Sequence, residues 1–429
     1  MTELTYQAER RGVAIKRFVK NITRRGFVAS VLGGLSGRGV SSLIGTSSQA
    51  SAGADFTIAI IPDPQYLAQS CPGGLGEYYA AMMQWIVDNK NIGLAASQSP
   101  FDANIKAVVG VGDCVNAAER SDQCRNAQTA WEILDRSGIA FTTPPGNHDY
   151  RGMPTSRDRL GSQFATGYFS ASNRSSVYGS GIDLGGGDKA YWVGSLDATG
   201  ANTAVKFLIS GCKLLILALD FFCGDAAWSW AYDVMSSNSD CECYITTHAW
   251  LTRLGTRFEK TDVYGPEFYR MDDAPYSNSA EEAWSAIGVN IWTNLFGIFG
   301  GHDIFSAGDM LAYPRFDRSQ NASAGWFWQL TPAKSASSRG QTVYQIFANS
   351  QDIDLGCSAS VSDATGAGQI ASVFLLSRRP ALGLLEGRML STRSGNWFKS
   401  RSATFPEGTS WSTSETLLFS VPFRGLQNE

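Results

Sequence analysis

The sequence predicts an α/β fold, and the alternation of two patterns along the chain is the main reason. Short apolar runs with the length of buried strands alternate with longer segments whose apolar residues recur at helical spacing. The chain has 429 residues, of which 43% are hydrophobic and 12% aromatic, so it can bury a large core. A charged fraction of only 17% is atypical of a disordered chain. No apolar run reaches the roughly 18 residues of a membrane span, which excludes a multi-span membrane protein.

The first 54 residues differ in composition from the rest. They contain 8 Lys or Arg against 2 Asp or Glu, whereas the remainder contains 27 against 37. A remainder this acidic is not expected to bind nucleic acid. The segment Thr23-Arg24-Arg25-Gly26-Phe27, followed by a weakly apolar stretch rich in Gly and Ser, resembles a twin-arginine export signal. A basic amphipathic leader lying on a membrane surface is the alternative.

This resemblance implies a signal peptide over residues 1–54 and the twin-arginine export machinery as a partner. A periplasmic or secreted bacterial protein is then expected, without a membrane span in its mature part. Eight cysteines follow the leader, and their even number permits disulfides in an exported chain. The sequence does not select among the pairings.

Elements alternate regularly in the first half of the remaining chain. In order, the patterns predict strand 56–61, helix 77–89, strand 105–111, helix 127–134 and strand 139–143. Residues 151–204, which are rich in Gly, Ser and Asn, predict a long irregular excursion.

The second half continues the alternation and then becomes mostly extended. Its predicted elements are strands 207–209 and 214–219, helix 225–235, strand 241–247, helix 281–295, strand 296–299 and strands 343–347, 372–376 and 417–421. We expect a core over residues 55–340 and C-terminal strands over 341–429 that complete the second sheet.

Polar residues follow several of the predicted strands directly. These residues are Asp63, Gln65, Asp113, Asn147, His248 and His302. The chain has only three histidines, and the third, His148, is adjacent to Asn147. In α/β sheets, binding crevices form where strands end at their carboxyl side, so the sequence predicts a site there.

The same residues occur in a recognisable order. The series Asp63-x-Gln65, Gly112-Asp113, Gly146-Asn147-His148-Asp149, His248 and Gly301-His302 resembles the calcineurin-like metallophosphoesterases and spans residues 63–304. Two segments, Thr247-His248-Ala249-Trp250 and Tyr344 to Asn349, resemble those of an exported bacterial branch of this family. In that branch the first motif reads Asp-x-Gln. The resemblance implies a four-layer α-β-β-α sandwich with two mixed sheets and a metal site at the carboxyl ends of the strands.

The resemblance also implies a role for each matching position. Asp113 bridges two metal ions, Asp63 binds the first ion, and the second ion is bound by Asn147, His248 and His302. His148 protonates the leaving oxygen of the substrate, and Asp149 orients the His148 ring. The implied activity is hydrolysis of phosphate mono- or diesters outside the cytoplasm by a metal-activated hydroxide. The substrate is a small phosphate ester, a lipid or a nucleotide.

Two positions depart from the family pattern, and both concern the first ion. Gln65 stands where the family has His, and Ile304 stands where a second His follows His302. Neighbouring Asp303 and the more distant Asp309 are candidate replacements, although Asp303 is expected to face the opposite way on an extended chain. Gln65 is the remaining candidate ligand beside the two aspartates.

One or two divalent ions are therefore expected. An oxygen-rich first site favours Mn²⁺, with Mg²⁺, Ca²⁺, Fe²⁺ and Zn²⁺ as alternatives. Purple acid phosphatases are set aside, because the position of their iron-binding Tyr is Asn116 here. The alternative function is a non-catalytic protein that binds a phosphate ligand, or acts as a scaffold, with one metal.

Overall fold

The computed structural model confirms the predicted α/β class with two mixed β-sheets. It describes residues 54–69, 75–90, 103–152, 160–252, 256–269, 277–303, 328–332, 342–349, 371–392 and 419–423. The strands in these ranges are, in chain order, β1 (Phe56–Ile61), β2 (Ile105–Gly110), β3 (Phe141–Thr142), β4 (Ile182–Gly185), β5 (Asp188–Ser195), β6 (Thr203–Ile209), β7 (Cys212–Leu219), β8 (Glu242–Thr247), β9 (Leu295–Gly300), β10 (Trp328–Pro332), β11 (Thr342–Phe347), β12 (Ser372–Arg379), β13 (Leu384–Ser391) and β14 (Phe419–Pro422).

Among the described residues, the first sheet has six strands in the order β14-β13-β12-β1-β2-β3. Strands β1, β2 and β3 are parallel, whereas β12 runs antiparallel to β1, with Phe56 opposite Arg378. The first strand of the described residues therefore lies inside its sheet, between β2 and β12.

In the part of the chain that the structure describes, the second sheet has eight strands in the order β10-β11-β9-β8-β7-β6-β5-β4. Strands β7, β8, β9 and β11 are parallel to one another. The predicted hairpin around Gly211 is confirmed, with β6 and β7 antiparallel and Ile209 opposite Cys212. Gly211 has a φ of 81°, which the tight turn requires and which glycine adopts without strain.

The C-terminal strands join both sheets, whereas the sequence led us to expect that they complete one. Strand β11 extends the eight-stranded sheet beside β9, and β12, β13 and β14 extend the six-stranded sheet beside β1. Strand patterns fix the position of a strand in the sequence but not its neighbour, which explains this difference.

Three longer helices, α1 (Leu75–Asp88), α2 (Ser121–Arg136) and α5 (Asp225–Ser237), lie where apolar spacing predicted them, although α2 begins earlier than expected. The other α-helices of the described residues are α3 (Ser162–Ala165), α4 (Ala171–Tyr178) and the short α6 (Ala280–Glu282). No helix in the described part of the chain is both long and apolar enough to cross a membrane.

Two predictions of local structure are wrong. The segment 151–204 is not irregular throughout, since it contains α3, α4, β4 and β5. The predicted helix 281–295 is interrupted: a π-helical turn, Ala283–Ile287, ends at Gly288, whose φ of 87° is left-handed. A 3-10 turn and the start of β9 follow. Helical spacing alone did not reveal this break.

Both faces of the central strands are buried, which explains their continuous apolar sequences. In β1, the side chains of Phe56, Ile58 and Ile60 join a cluster that contains residues of both sheets. Ala59 and Ile61 point the other way, into a second cluster with residues of α1 and α2. In β8, Tyr244 belongs to the shared cluster, and a third cluster packs the opposite face of its sheet against α5.

Candidate metal centre

The candidate residues follow parallel strands of both sheets. In the six-stranded sheet, Asp63 follows β1, Asp113 follows β2 and Asn147 follows β3. In the eight-stranded sheet, His248 follows β8 and His302 follows β9. A hydrogen bond from Thr246 Oγ1 to the Gly110 carbonyl oxygen, at 2.7 Å, joins the ends of β8 and β2. Parallel strand ends thus bring residues distant in sequence to one place.

Two glycines allow the loops after β2 and β3 to approach each other. A Cβ atom on Gly146 would lie 2.1 Å from Asp113 Oδ1. A Cβ atom on Gly112, whose φ is 96°, would lie 2.8 Å from the Gly146 nitrogen and 2.9 Å from His248 Nδ1. Side chains at either position would push Asp113 and His248 away from the centre.

Three of the candidate residues have backbone conformations that non-glycine residues rarely adopt. The φ angles are 32° for Asp63, 50° for Asp113 and 77° for His302. Such conformations cost about 1–3 kcal/mol each and cluster at functional sites, where the surrounding structure maintains them. Their coincidence at three strand ends supports a functional origin.

Asp63, Asp113 and His248 form a buried group that could hold a metal ion. Each offers one ligand atom, and these atoms lie within 4.8 Å of one another. None of the three residues is more than 1% exposed. Two carboxylates and an imidazole are ligands that divalent cations accept, so the donor set fits such an ion.

Each of the two buried histidines has one ring nitrogen against a backbone carbonyl. His248 Nδ1 lies 2.8 Å from the Val111 oxygen, and His302 Nε2 lies 3.1 Å from the Tyr264 oxygen. A carbonyl oxygen only accepts hydrogen bonds, so these outer nitrogens are the protonated ones. Histidines that bind metals are typically held in this way through their second nitrogen.

The inner nitrogens face each other across 3.1 Å, from His302 Nδ1 to His248 Nε2. Asn147 Oδ1 lies 2.9 Å and Asp113 Oδ2 lies 3.3 Å from the same Nε2 atom. Four atoms with lone pairs therefore converge, and they repel one another unless a proton or a cation lies among them. Donor atoms around a divalent ion with bonds of about 2.1 Å lie roughly 3.0–3.4 Å apart, which is close to this spacing.

The pKa values show where protons balance the charges of Asp113, His248 and His302 when no metal ion is bound. Burial disfavours the charged form of His248, but the adjacent Asp113 carboxylate prevails and raises the pKa of the ring to about 9. Burial also disfavours ionised Asp113, yet its interactions with His248 and His148 lower the pKa to about 2. Burial and the charge of His248 lower the pKa of His302 to about 3. Positive charge is thus favoured on the His248 ring and disfavoured on the His302 ring.

Aromatic side chains surround His302. The ring centroids of Phe221, Phe222, Phe258, Tyr264 and Tyr269 lie 5.1–6.3 Å from that of the imidazole. The Tyr269 hydroxyl also contacts His302 Nε2 at 3.3 Å. An apolar surrounding excludes water and strengthens electrostatic interactions inside the centre.

Two buried side-chain oxygens in the segment after β1 lack hydrogen-bond partners among the described residues. Within the described residues, no donor reaches Asp63 Oδ1 or Gln65 Oε1, and both side chains are only 1% exposed. Burial, together with the charge of Asp113, raises the pKa of Asp63 well above its ordinary value. An unpartnered buried oxygen costs about 1–3 kcal/mol, and a bound cation would remove that penalty.

His148 and Asp149 are placed differently from the expectation that Asp149 orients His148. His148 Nδ1 lies 2.7 Å from the Asn116 carbonyl oxygen, so the backbone orients the ring. Asp149 Oδ2 instead accepts hydrogen bonds from the backbone nitrogens of Gly146 and Cys114, at 2.9 and 3.1 Å. Its carboxylate joins two loops, and burial beside Asp113 raises its pKa to about 8.

Sequence reasoning did not identify several contributors to the centre. The carbonyls of Val111, Tyr264 and Asn116 hold the three imidazoles, and only the folded backbone reveals them. Asn349 donates from Nδ2 to Asp63 Oδ2 at 3.4 Å. Asn349 ends the segment Tyr344 to Asn349, and the resemblance of that segment assigns no role to the residue.

Some predictions fall outside the described residues. They include Ile304 and Asp309, residues 1–53 of the leader and the cysteines Cys71 and Cys357. None of the six described cysteines forms a disulfide. Asp303 is described and buried, and its carbonyl oxygen accepts a hydrogen bond from Asn349.

The fold and the centre define an α/β protein with a buried group of carboxylates and imidazoles that could hold a metal ion. No family model matches the chain. A protein of Bacillus subtilis (strain 168), "Uncharacterized protein YvnB", is 26% identical over 202 residues. The match covers 47% of this chain but only 13% of the relative, so the aligned region is a small part of a much longer protein.

Proposed function

We propose that this chain is a metal-dependent phosphoesterase similar to the calcineurin-like metallophosphoesterases. The observation that supports the proposal most strongly is the convergence of His248 and His302. Their inner nitrogens face each other and their outer nitrogens donate to backbone carbonyls. An ordinary buried histidine would not need a second imidazole lone pair within 3.1 Å of its own.

The layering proposed for the fold is a four-layer α-β-β-α sandwich. A shared apolar cluster with residues of both sheets supports the two inner layers. The clusters that pack α1 and α2 on one sheet and α5 on the other support the outer layers. In this arrangement the metal site lies at the carboxyl ends of the strands.

The centre is proposed to have two sides that share Asp113. The histidine side consists of Asn147, His248 and His302 with Asp113. The carboxylate side consists of Asp63 and Gln65 with Asp113. Nitrogen and oxygen donors on the histidine side suit a transition metal, whereas the carboxylate side offers oxygen atoms alone and suits Mn²⁺, Mg²⁺ or Ca²⁺. Mn²⁺ accepts both donor sets and is our expected ion, with Fe²⁺ and Zn²⁺ as alternatives on the histidine side.

Divalent ions in such a centre supply Lewis-acid activation of water and neutralise charge on a phosphoryl group. The chain supplies orientation and a proton. His148 is partly exposed, and its Nδ1 is occupied by the Asn116 carbonyl, so Nε2 is the atom that can give a proton to a leaving oxygen. The backbone nitrogen of His148 donates to Asp113 Oδ1 at 2.8 Å, which fixes the carboxylate relative to this acid.

A non-catalytic protein with one metal is the second candidate. The Gln65 and Ile304 positions favour it, because neither provides the histidine of the family pattern. In that protein the histidine side alone binds an ion, and the phosphate ligand is bound without being cleaved. His148, held in place next to the centre, favours the catalytic candidate.

Export is proposed on the leader sequence alone. The leader resembles a twin-arginine signal, whose export machinery carries folded proteins. A periplasmic or secreted enzyme would act on phosphate esters outside the cytoplasm.

The test measures hydrolysis of bis-p-nitrophenyl phosphate by the full chain, first stripped of metal and then titrated with Mn²⁺. We expect turnover that rises with Mn²⁺ and is lost in Asn147→Ala, since that variant removes a donor from the histidine side. Trp292→Phe, a buried position that packs on α5, serves as the matched control and should keep full turnover. Metal binding without hydrolysis would select the non-catalytic candidate, and the absence of both would reject the proposal.

A further inference from the structure

Asn349 occupies a position equivalent to those of the proposed metal ligands. It follows β11 by two residues, as His302 follows β9 and Asp63 follows β1. Strand β11 is parallel to β9, with Phe347 opposite Gly300, so the two strands end at the same edge. Asn349 is only 7% exposed. Topology therefore brings Asn349, which lies far along the chain, to the Asp63 loop.

The hydrogen bonds of Asn349 determine which way its amide points. Nδ2 donates to the Asp303 carbonyl oxygen at 3.0 Å and to Asp63 Oδ2 at 3.4 Å. Both partners are acceptors, so the NH₂ group must face them. The amide consequently ties the Asp63 side chain to the backbone that follows His302.

This contact divides the Asp63 carboxylate into two unequal oxygens. Oδ2 receives the Asn349 hydrogen bond, whereas Oδ1 has no partner among the described residues. Gln65 Oε1, two residues further on, is in the same situation. A fixed carboxylate with one oxygen held and the other unpartnered is preorganised to bind a cation through the unpartnered oxygen.

We propose that Asn349 is a positioning residue for the ion of the carboxylate side, acting through Asp63. The inference rests on the proposed function. It assigns a function to a residue in the C-terminal part of the sequence. Asn349 orients Asp63 on the side of the centre where Gln65 and Ile304 stand in place of the histidines of the family pattern. The histidine side keeps its own anchors in the carbonyls of Val111 and Tyr264 and depends less on Asn349.

The experiment is a calorimetric titration of the metal-free full chain with Mn²⁺. For the unmodified protein we expect two equivalents of unequal affinity. In Asn349→Ala the weaker equivalent should lose about 10-fold or more in affinity, the range typical of residues that orient a ligand. The tighter equivalent should change less than about twofold. Asn349→Leu keeps the branched shape without the donor and should behave in the same way.

The matched control is Asn294→Ala. Asn294 is 8% exposed and donates from Nδ2 to the Met235 carbonyl, at the start of β9 and away from the metal centre. This variant should lower the melting temperature about as much as Asn349→Ala does and leave both Mn²⁺ affinities unchanged. The comparison separates positioning from a general effect on folding.

The inference is overturned if Asn349→Ala and Asn349→Leu keep both affinities, or lose both equally. Binding of one equivalent by the unmodified protein also overturns it, since Asp63 then has no ion to hold, while the histidine side still stands. Failure of the proposed function has a different signature, namely no Mn²⁺ binding by the unmodified protein at all.

Discussion

On the histidine side of the centre each ring is held by a backbone carbonyl, whereas on the carboxylate side two buried oxygens have no donor within the described structure. The histidine side is thus ordered before any ion binds, and a proton on His248 can take the place of the cation. On the carboxylate side, Asp63 is contacted by Asn349 at 3.4 Å and is influenced by the backbone of His302. This difference predicts unequal affinities for metal and unequal responses to mutation.

The largest expected effect breaks the histidine side. His248→Ala removes the ring that contacts Asn147, Asp113 and His302, so the affinity of the tighter Mn²⁺ equivalent should fall by more than about 100-fold. Calorimetry measures the affinity, and circular dichroism checks the fold. His148→Ala is the control, because it should lose turnover and keep both affinities within about twofold. Equal losses of affinity in the two variants would contradict the assigned roles.

The next effect acts on Asp113, which the two sides share. Gly146→Ala places a methyl group 2.1 Å from Asp113 Oδ1, and the crowding should reduce the free energy of unfolding by about 2–3 kcal/mol. Both Mn²⁺ affinities should fall together. Gly211 lies in a hairpin turn, and no atom lies within 4 Å of a Cβ added there. Gly211→Ala should therefore reduce the free energy of unfolding by only about 1 kcal/mol, because alanine is disfavoured in the left-handed backbone conformation. Denaturant unfolding measures both variants, and a smaller loss in Gly146→Ala than in Gly211→Ala would refute the steric explanation.

A smaller effect is expected on the carboxylate side of the centre. Gln65→Leu removes a buried oxygen that lacks a partner in the described residues, so the metal-free protein should gain up to about 1 kcal/mol in stability. The weaker Mn²⁺ equivalent should lose about 10-fold in affinity at the same time. Thermal melts with and without Mn²⁺ measure the two changes. Loss of stability in the metal-free variant would mean that Gln65 Oε1 is satisfied, contrary to our account.

The smallest expected effect tests the outer shell of His302. Tyr269→Phe removes the hydroxyl that lies 3.3 Å from Nε2 but leaves the Tyr264 carbonyl in place. The tighter Mn²⁺ affinity should therefore fall by less than about threefold. Tyr232→Phe is the control, because the Tyr232 ring packs on Trp292, and this variant should leave both Mn²⁺ affinities unchanged. A loss above about 10-fold would show that the hydroxyl, and not the carbonyl, holds His302.

Much of the fold follows from the sequence, because apolar runs with strand length fixed most strands to within a residue or two. The failures have local causes. Residues 281–295 have helical spacing, yet Gly288 takes a left-handed conformation that ends the helix. In the strands of 151–204, glycines and charged residues interrupt the apolar residues, so β4 and β5 lack the long apolar runs of the buried strands.

The candidate site was predictable to the extent that its residue types are unusual after strands. Asp63, Asp113 and His248 do come together. Their partners were not predictable, since the Val111, Tyr264 and Asn116 carbonyls act through the backbone, which has the same chemistry at every position. The importance of Asn349 depends on the pairing of β11 with β9, which no local pattern specifies.

The pairing of β1 with β12 has a consequence for the order of events during synthesis. Phe56 emerges from the ribosome long before its antiparallel neighbour Arg378. Until then β1 has an open edge, and the Asp63 loop lacks both this support and Asn349. Contacts this distant in sequence are slow to form. Binding of the ion on the carboxylate side should therefore appear only after β11 and β12 have been made, and nascent chains that stop before β11 should lack it.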